Sequence, residues 1–388
     1  MKCDVEDIVA QFEKEHTKDL LKKTDSLFKI VVDFMIREKV VMYGGWAINE
    51  HLPKKKRFYT EETINDFDGF IVSAKKVAHK LVNLLKKYKY VEIRESKHPN
   101  TYKVFVQGVP LCDLTDVPHK HYDILIKNCI IDENTGIRLS SPYDLKRMML
   151  NELSQPIQSA FRWTKVYPRF LTFLSVFPDK SKITTKIYPD DKISLCINTL
   201  LKYIKEKELP LVGNVSLILH KSQKLKPYAF SKSQPFLSIL AKDLKMVMKD
   251  VINLFNDHNI SMSKMSLWDT TRGSIYIDDV FLLDVIDCSS SCLSVLKTKE
   301  KGYTVGSLAT IGYLLYEEIS YYQEDTDDLK KSADICSKMM NKCDKILTVE
   351  CYGKGKMIED VVKEYWNKKF YRYKNKIGSR NKTLFVSN

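Results

Sequence analysis

Shifting this chain by about 170 residues brings it into register with itself, and no other feature narrows its fold so far. Val77 to Leu85 falls on Val247 to Phe255, Val109 to Asp116 on Val280 to Asp287, and Ser141 to Ser154 on Ser307 to Ser320. Three blocks recurring in one order predict two tandem lobes of one architecture. The chain has 388 residues, 44% of them hydrophobic, which supplies apolar material for two or three separate cores.

The first copy carries chemistry. Val40 to Met42 reads as a short strand, broken by Gly44-Gly45, and Trp46 to Leu52 then resumes a helical spacing. Glycines at a strand-to-helix turn let the backbone approach a ligand and leave the first helical N–H groups facing an anion. Thr63 to Val72 reads as a strand on which Asp66 and Asp68 share a face while Phe67 turns the other way. Asp113 follows on the strand Val109 to Leu114, and strands about 5 Å apart bring it within reach of the pair. Alone, a Gly-Gly or an Asp-x-Asp usually marks nothing more than a turn. Gathered, the three carboxylates repel by about 4 kcal/mol per pair at ~4 Å and an effective dielectric near 20, and a cation relieves them. Hard oxygen ligands without His or Cys favour magnesium or manganese, and two such ions support in-line phosphoryl displacement.

Nucleotidyl transfer is therefore the expected chemistry. Asp66, Asp68 and Asp113 are its expected catalytic metal ligands, and Gly44 and Gly45 its triphosphate-binding turn. Lys103, Lys146, Arg162 and Lys165 are candidates for neutralising phosphates. In the second copy Phe236 and Ser238 stand where the first has Asp66 and Asp68, so Asp284, the counterpart of Asp113, is expected to lack partners. That lobe should be silent, serving as scaffold or as a clamp for a strand. Gly213-Asn214 is a weak echo of Gly44-Gly45.

The expected fold is α+β, with N-terminal helices over 1–37, a catalytic lobe over 38–185, a degenerate lobe with helices over 186–360 and a tail over 361–388. A net charge of +14, from 63 Lys and Arg against 49 Asp and Glu, suits a polyanionic partner and equally a solvated lysine surface. Trp366 to Lys376 interleaves rings with cations, which makes Lys369, Tyr371, Arg372 and Lys374 candidates for stacking on and tracking single-stranded RNA. Nine cysteines, none in a Cys-x-x-Cys pair, lead to the expectation of a reduced chain without a disulfide framework or zinc ribbon, in a cytosolic compartment. No apolar run reaches the length of a membrane span, so the chain is expected to be neither secreted nor embedded.

With these residues placed, the chain resembles the poly(A) polymerase catalytic subunits of large cytoplasmic DNA viruses, most densely from about Val41 to Phe173. The resemblance lies in Tyr43-Gly44-Gly45-Trp46-Ala47-Ile48-Asn49-Glu50, Leu52 to Tyr59, Asp66-Phe67-Asp68, Thr101 to Phe105, Asp113-Leu114-Thr115 and Glu152-Leu153-Ser154, extended by Arg162-Trp163 and Lys165-Val166-Tyr167. It departs at Gly69, where an aromatic residue commonly follows the second aspartate, and at Gln155, where Arg is usual. The resemblance implies a nucleotidyltransferase palm followed by a degenerate one, and template-free addition of AMP from ATP to RNA 3′ ends with two Mg2+ or Mn2+ ions. It also implies a homodimer or a processivity partner, and residence in the host cytoplasm and viral factory or packaging in the virion. Two other functions use the same residues: a non-catalytic RNA-binding or processivity subunit, and a nucleotidyltransferase acting on another acceptor.

Overall fold

The computed structural model describes residues 27–59, 67–96, 98–179, 189–220, 234–297, 302–322, 326–340 and 350–353. Asp66, residues 1–26 of the stretch expected to hold the N-terminal helices, and the tail residues Lys369, Tyr371, Arg372 and Lys374 lie outside these. The chain divides into two compact units, Met1–Lys146 with Thr172–Pro178, and Arg147–Leu171 with Asp179–Asn388.

Among the described residues the first unit opens on helix α1 (27–37), whose Val31, Phe34 and Met35 are buried. Strand β1 (Val41–Tyr43) runs into α2 (Gly44–His51), and β2 (Phe67–Ile71) into α3 (Ala74–Leu84). Three antiparallel strands follow, β3 (Val91–Glu95), β4 (Thr101–Val106) and β5 (Val109–Asp116), then α4 (His119–Asn128), β6 (Ile130–Ile131) and β7 (Arg138–Leu139). They form a seven-stranded sheet in the order β3-β4-β5-β2-β1-β7-β6. Within the stretch Thr63 to Val72 expected to be a strand, the described residues form β2 over Phe67–Ile71, and α3 ends at Leu84. On α3, Ala74, Val77, Ala78 and Leu81 make the buried stripe that spacing of three and four residues predicts.

Helix α5 (Pro142–Ser154) begins in the first unit and ends in the second; α6 (Pro156–Ser159) and α7 (Trp163–Val176) follow. The second unit continues with α8 (Asp191–Glu206), β8 (Leu211–Val212), α9 (Gly213–His220), β9 (Leu237–Ala241) and α10 (Leu244–Leu254). Next come β10 (Ile260–Ser266), β11 (Thr271–Ile277), β12 (Val280–Asp287), β13 (Cys292–Lys297), β14 (Thr304–Gly306), α11 (Leu308–Tyr322), α12 (Asp327–Met340) and β15 (Cys351–Gly353). Its eight-stranded sheet has the order β10-β11-β12-β9-β8-β14-β13-β15, which repeats the first sheet strand for strand and adds β15.

The repetition reaches fine detail. Both lobes pair their first two strands antiparallel and their second and fifth parallel. Each has a register shift at the same point of its fourth strand, between Val104 and Phe105 and between Ile275 and Tyr276. His51 Nε2 lies 2.9 Å from the Ser140 carbonyl oxygen, and His220 Nε2 lies 2.8 Å from that of Gly306. Burial lowers the pKa of both imidazoles, against the opposing effect of those carbonyl bonds.

Two sequence expectations are corrected. Cys292 and Cys351 are joined by a disulfide with Cα atoms 5.4 Å apart, although 59 residues separate them. Strand pairing of β13 with β15 brings them together, and local cysteine spacing gives no sign of it. Asp284 has partners after all. Arg272 Nη1 lies 3.2 Å from its Oδ2, Arg272 Nη2 lies 3.0 Å from Glu317 Oε2, and Nη1 also meets Glu318. Glu317 further accepts from the backbone N–H groups of Asp269 and Thr270 and from the Thr270 hydroxyl. Burial works against the Arg272 charge, but Glu318, Asp284 and Glu317 outweigh it and hold the guanidinium protonated. Burial, assisted by Glu318 and Glu317, pushes the Asp284 carboxyl up to about 7 against the pull of Arg272.

Removing one member of such a buried network strands the others. Arg272→Ala should lower the unfolding free energy of the lobe by about 3–5 kcal/mol in urea titration, and a loss under 1 kcal/mol would contradict this account. Asp284 adds a pH signature. With its folded pKa near 7 and a reference value of 3.8, the native state holds the proton that the unfolded state releases, so its contribution is complete below pH 3.8 and disappears as pH rises through about 7. Asp284→Asn should flatten the fall in melting temperature that the unmodified protein shows between pH 5 and pH 8.

Candidate active site

Strand β2 alternates as the sequence requires: Phe67, Gly69 and Ile71 are buried, and Asp68 and Phe70 occupy the other face. Phe67 is fixed edge-on against Phe28 and Trp46, with ring centroids 5.7 and 5.1 Å away. Tyr43 stacks on Phe70 at 3.8 Å. Gly69 is demanded by its neighbour, since a Cβ there would come within 2.3 Å of Val40 Cγ1. The departure from the family pattern at this position thus has a steric cause.

Asp68 pairs in parallel register with Asp113 of β5 and in antiparallel register with Tyr43 of β1. Two carboxylates therefore stand on adjacent strands at the same level, as expected. Both act on Cys112, whose thiol is pushed up first by burial and then by the charges of Asp113 and Asp68. Asp113 is only 6% exposed. Across from it on β4, Lys103 forms an ion pair with its Oδ2. Lys103, foreseen as a phosphate ligand, thus lies against a carboxylate.

The turn between β1 and α2 is glycine by necessity. Gly44 has φ +72°, and a Cβ on it would lie 2.2 Å from Asp68 Oδ2. Gly213 holds the matching place in the second lobe with φ +70°, where a Cβ would meet Ser238 Oγ at 3.2 Å. The weak echo in the sequence is a full structural counterpart. Ser238 also pairs with Asp284 as Asp68 pairs with Asp113, which fixes the alignment of the two lobes residue by residue.

Helix α2 organises the basic loop after it. Asn49, buried, accepts at Oδ1 from the N–H groups of Phe58 (3.0 Å) and Tyr59 (2.9 Å). Arg57 meets Glu50 at 2.9 Å and the Leu52 carbonyl at 3.1 Å. The sequence pattern marks Asn49 and Glu50 without revealing this anchoring role. Nor does it reveal the hydroxyl chain from Tyr43 to Thr115 (2.8 Å) to Thr101 (2.9 Å), for which no local pattern exists.

Other expected phosphate ligands are placed differently. Lys146 is buried on α5, its Nζ 5.3 Å from the centre of the Tyr143 ring. Arg162 and Lys165 belong to the second unit. There Arg162 Nε lies 3.0 Å from Glu152 Oε2, and the Glu152 carboxyl is pushed up by burial against the charges of Arg162, Lys165 and Arg169. Among the described residues no group of three His, Cys, Asp or Glu is set to hold a metal ion. Asp68 and Asp113 supply two hard oxygen ligands, and Asp66 lies outside the described residues. No described helix is long and apolar enough to cross a membrane.

A glycine turn beneath paired strand carboxylates, on a duplicated mixed sheet, defines a nucleotidyltransferase-type fold. The chain matches the crystal structure of the Megavirus polyadenylate synthase with a TM-score of 0.75 at 20% identity, over 95% of this chain and 82% of that one. Residues 29–159 match the family described as the poly(A) polymerase catalytic subunit. A protein of Acanthamoeba polyphaga mimivirus bearing that subunit's name is 28% identical over 159 residues, 39% of this chain and 26% of that protein. One of African swine fever virus (isolate Pig/Kenya/KEN-50/1950) is 31% identical over 104 residues, 26% of this chain and 22% of that protein. The match thus spans 22 to 26% of the length of these relatives. It bears out the resemblance read from the sequence, and the family match contains Gly44, Gly45, Asp66, Asp68, Asp113 and Lys146, ending before Arg162.

Gly44→Ala should be more damaging than Gly108→Ala. Gly108 shares a positive φ but a Cβ there would meet nothing within 4 Å, so only the conformational cost of about 1 kcal/mol applies. Urea denaturation should show Gly44→Ala losing roughly twice that or more; equal losses would remove the steric role assigned to Asp68.

Proposed function

We propose that this chain is a template-independent polynucleotide adenylyltransferase that adds AMP from ATP to the 3′ end of RNA. The observation that carries it is the parallel pairing of Asp68 with Asp113 beside the Gly44 turn, inside the stretch that matches the poly(A) polymerase catalytic subunit family.

Asp68 and Asp113 offer hard oxygen ligands of the kind that divalent ions of the magnesium type require, and Asp66, outside the described residues, is the third ligand that the sequence supplies. Such ions, when bound, lower the pKa of the attacking 3′ hydroxyl and neutralise charge on the pyrophosphate leaving group. Gly44 and Gly45, at the N-terminus of α2, present backbone N–H groups to the triphosphate. Lys103 faces the same carboxylates and, with its side chain 31% exposed, can turn toward a bound phosphate. Asn49 and Arg57 keep the loop of Lys54, Lys55 and Lys56 in place beside α2. Arg162 and Lys165 neutralise substrate phosphates, with Glu152 setting the Arg162 side chain. The second lobe performs no chemistry, because Arg272 already fills the charge demand of Asp284 with a fixed guanidinium. RNA is the polymeric partner, assisted by a second copy or a processivity subunit, in the cytoplasm of an infected cell.

Incubation with an oligoribonucleotide, manganese and each nucleotide separately tests this. Extension should occur chiefly with ATP. Asp66→Ala, Asp68→Ala and Asp113→Ala should each abolish extension while Asp284→Asn retains it. RNA that is bound but never lengthened would instead make the chain a binding subunit, and equal use of all four nucleotides would assign it a different transfer reaction.

A further inference from the structure

Helix α3 and the turn after it form a basic face that the fold does not require. Residues 73–90 hold six lysines, Lys75, Lys76, Lys80, Lys86, Lys87 and Lys89, and no acidic residue. All six are exposed. The corresponding stretch of the second lobe, 243–260 around α10, holds Lys245 and Lys249 against Asp243, Asp250 and Asp257. Both helices bury the same stripe, Ala74, Val77 and Leu81 in one and Leu244, Val247 and Val251 in the other. Scaffold geometry is therefore equal, and the difference in charge has another origin.

Two local features make the basic face costly. Lys75 and Lys76 stand in the first turn of α3, where the helix macrodipole disfavours cations. The N-cap Ser73 has φ +57° and no side-chain cap bond, whereas Asp243 of α10 caps the Met246 N–H at 3.0 Å. Tyr90, at the far end, adopts φ +56° and leaves its ring 81% exposed. Its carbonyl accepts from Gln107, as that of Asn259 accepts from Asp278, so the second lobe has a small polar residue in its place. The left-handed backbone is a strain that Tyr90 carries in any case, and the ring it offers to solvent is an apolar face on which a base can stack. Three acids on neighbouring elements are engaged: Glu38 by Lys80 at 2.6 Å, Glu92 by Arg94, and Asp116 by the Ser73 N–H at 2.8 Å.

We infer that this face binds single-stranded RNA upstream of the 3′ end, with Lys75, Lys76, Lys86, Lys87 and Lys89 following phosphates and Tyr90 stacking on a base. The inference rests on the adenylyltransferase function proposed above and names where that substrate runs. Clustered cations next to an exposed ring suit an unpaired strand, since phosphate contacts supply affinity and any base can stack.

Fluorescence anisotropy of a labelled oligoribonucleotide, with neither ATP nor divalent metal present, isolates this surface. Replacing the five lysines with Gln should weaken binding and reduce the slope of log affinity against log salt by about 0.7 for each phosphate that is no longer neutralised. Tyr90→Ala should weaken binding several-fold with the slope unchanged. The pair Lys245→Gln and Lys249→Gln should change neither. ATP incorporation at saturating primer should survive all of these changes; its absence from the unmodified protein would count against the proposed function and leave the binding result standing. Unchanged RNA affinity and slope in the five-lysine variant would overturn the inference, as would loss of a protein companion with RNA binding intact. Should that variant fail to fold, Tyr90→Ala alone decides: undiminished affinity refutes the stacking role.

Discussion

Everything distinctive about this molecule follows from placing carboxylates at one level on adjacent strands. Like charges at strand spacing are tolerable only with a cation among them, and although the second lobe has Ser238 in place of Asp68, each lobe sets a cation against the aspartate of its fifth strand. In the first lobe Lys103 reaches across from β4 to Asp113, with its side chain 31% exposed. In the second, the position opposite Asp284 is Ser274, and the cation has moved two residues along the same strand face to Arg272, whose side chain is 4% exposed. A flexible, partly exposed ammonium can yield its place. A guanidinium enclosed by Asp284, Glu317 and Glu318 cannot do so without stranding buried charge.

Duplication therefore preserved geometry and changed chemistry. The glycine turn, the strand order, the register shift in the fourth strand and the histidine bonded to a backbone carbonyl recur in both copies. These features hold the backbone path and cost little to keep. The residues that differ, Asp68 against Ser238 and Lys103 against Ser274, are those that bring charge to the centre of the sheet. The surfaces diverged as well, the first lobe carrying unbalanced lysines on α3 where the second balances its own on α10.

Much of this is legible in the chain. The repeat predicts paired lobes, the glycine pair predicts a strand-to-helix turn, and alternation places Asp68 and Asp113 on neighbouring strands, where they stand. Those features obey local periodicity, which sequence records directly. Lys146 and Lys103 are harder, because a lysine that lies enclosed beside a tyrosine ring or against a carboxylate looks the same in sequence as one reaching for a phosphate. The Cys292–Cys351 bridge and the Arg272 network join residues from distant segments, and no spacing rule announces either.

The sequence by itself determined that two like folds follow one another, that one keeps a carboxylate set at a glycine bend, and that the other has lost it. Hydrophobic alternation and backbone freedom at glycine are properties of a few neighbouring residues, so they survive being read in one dimension. Only the tertiary structure decided what became of the leftover acid at Asp284, why Gly69 admits no side chain, and which lysines face inward. Those outcomes depend on which strands become neighbours, and strand adjacency exists only once the chain has closed on itself.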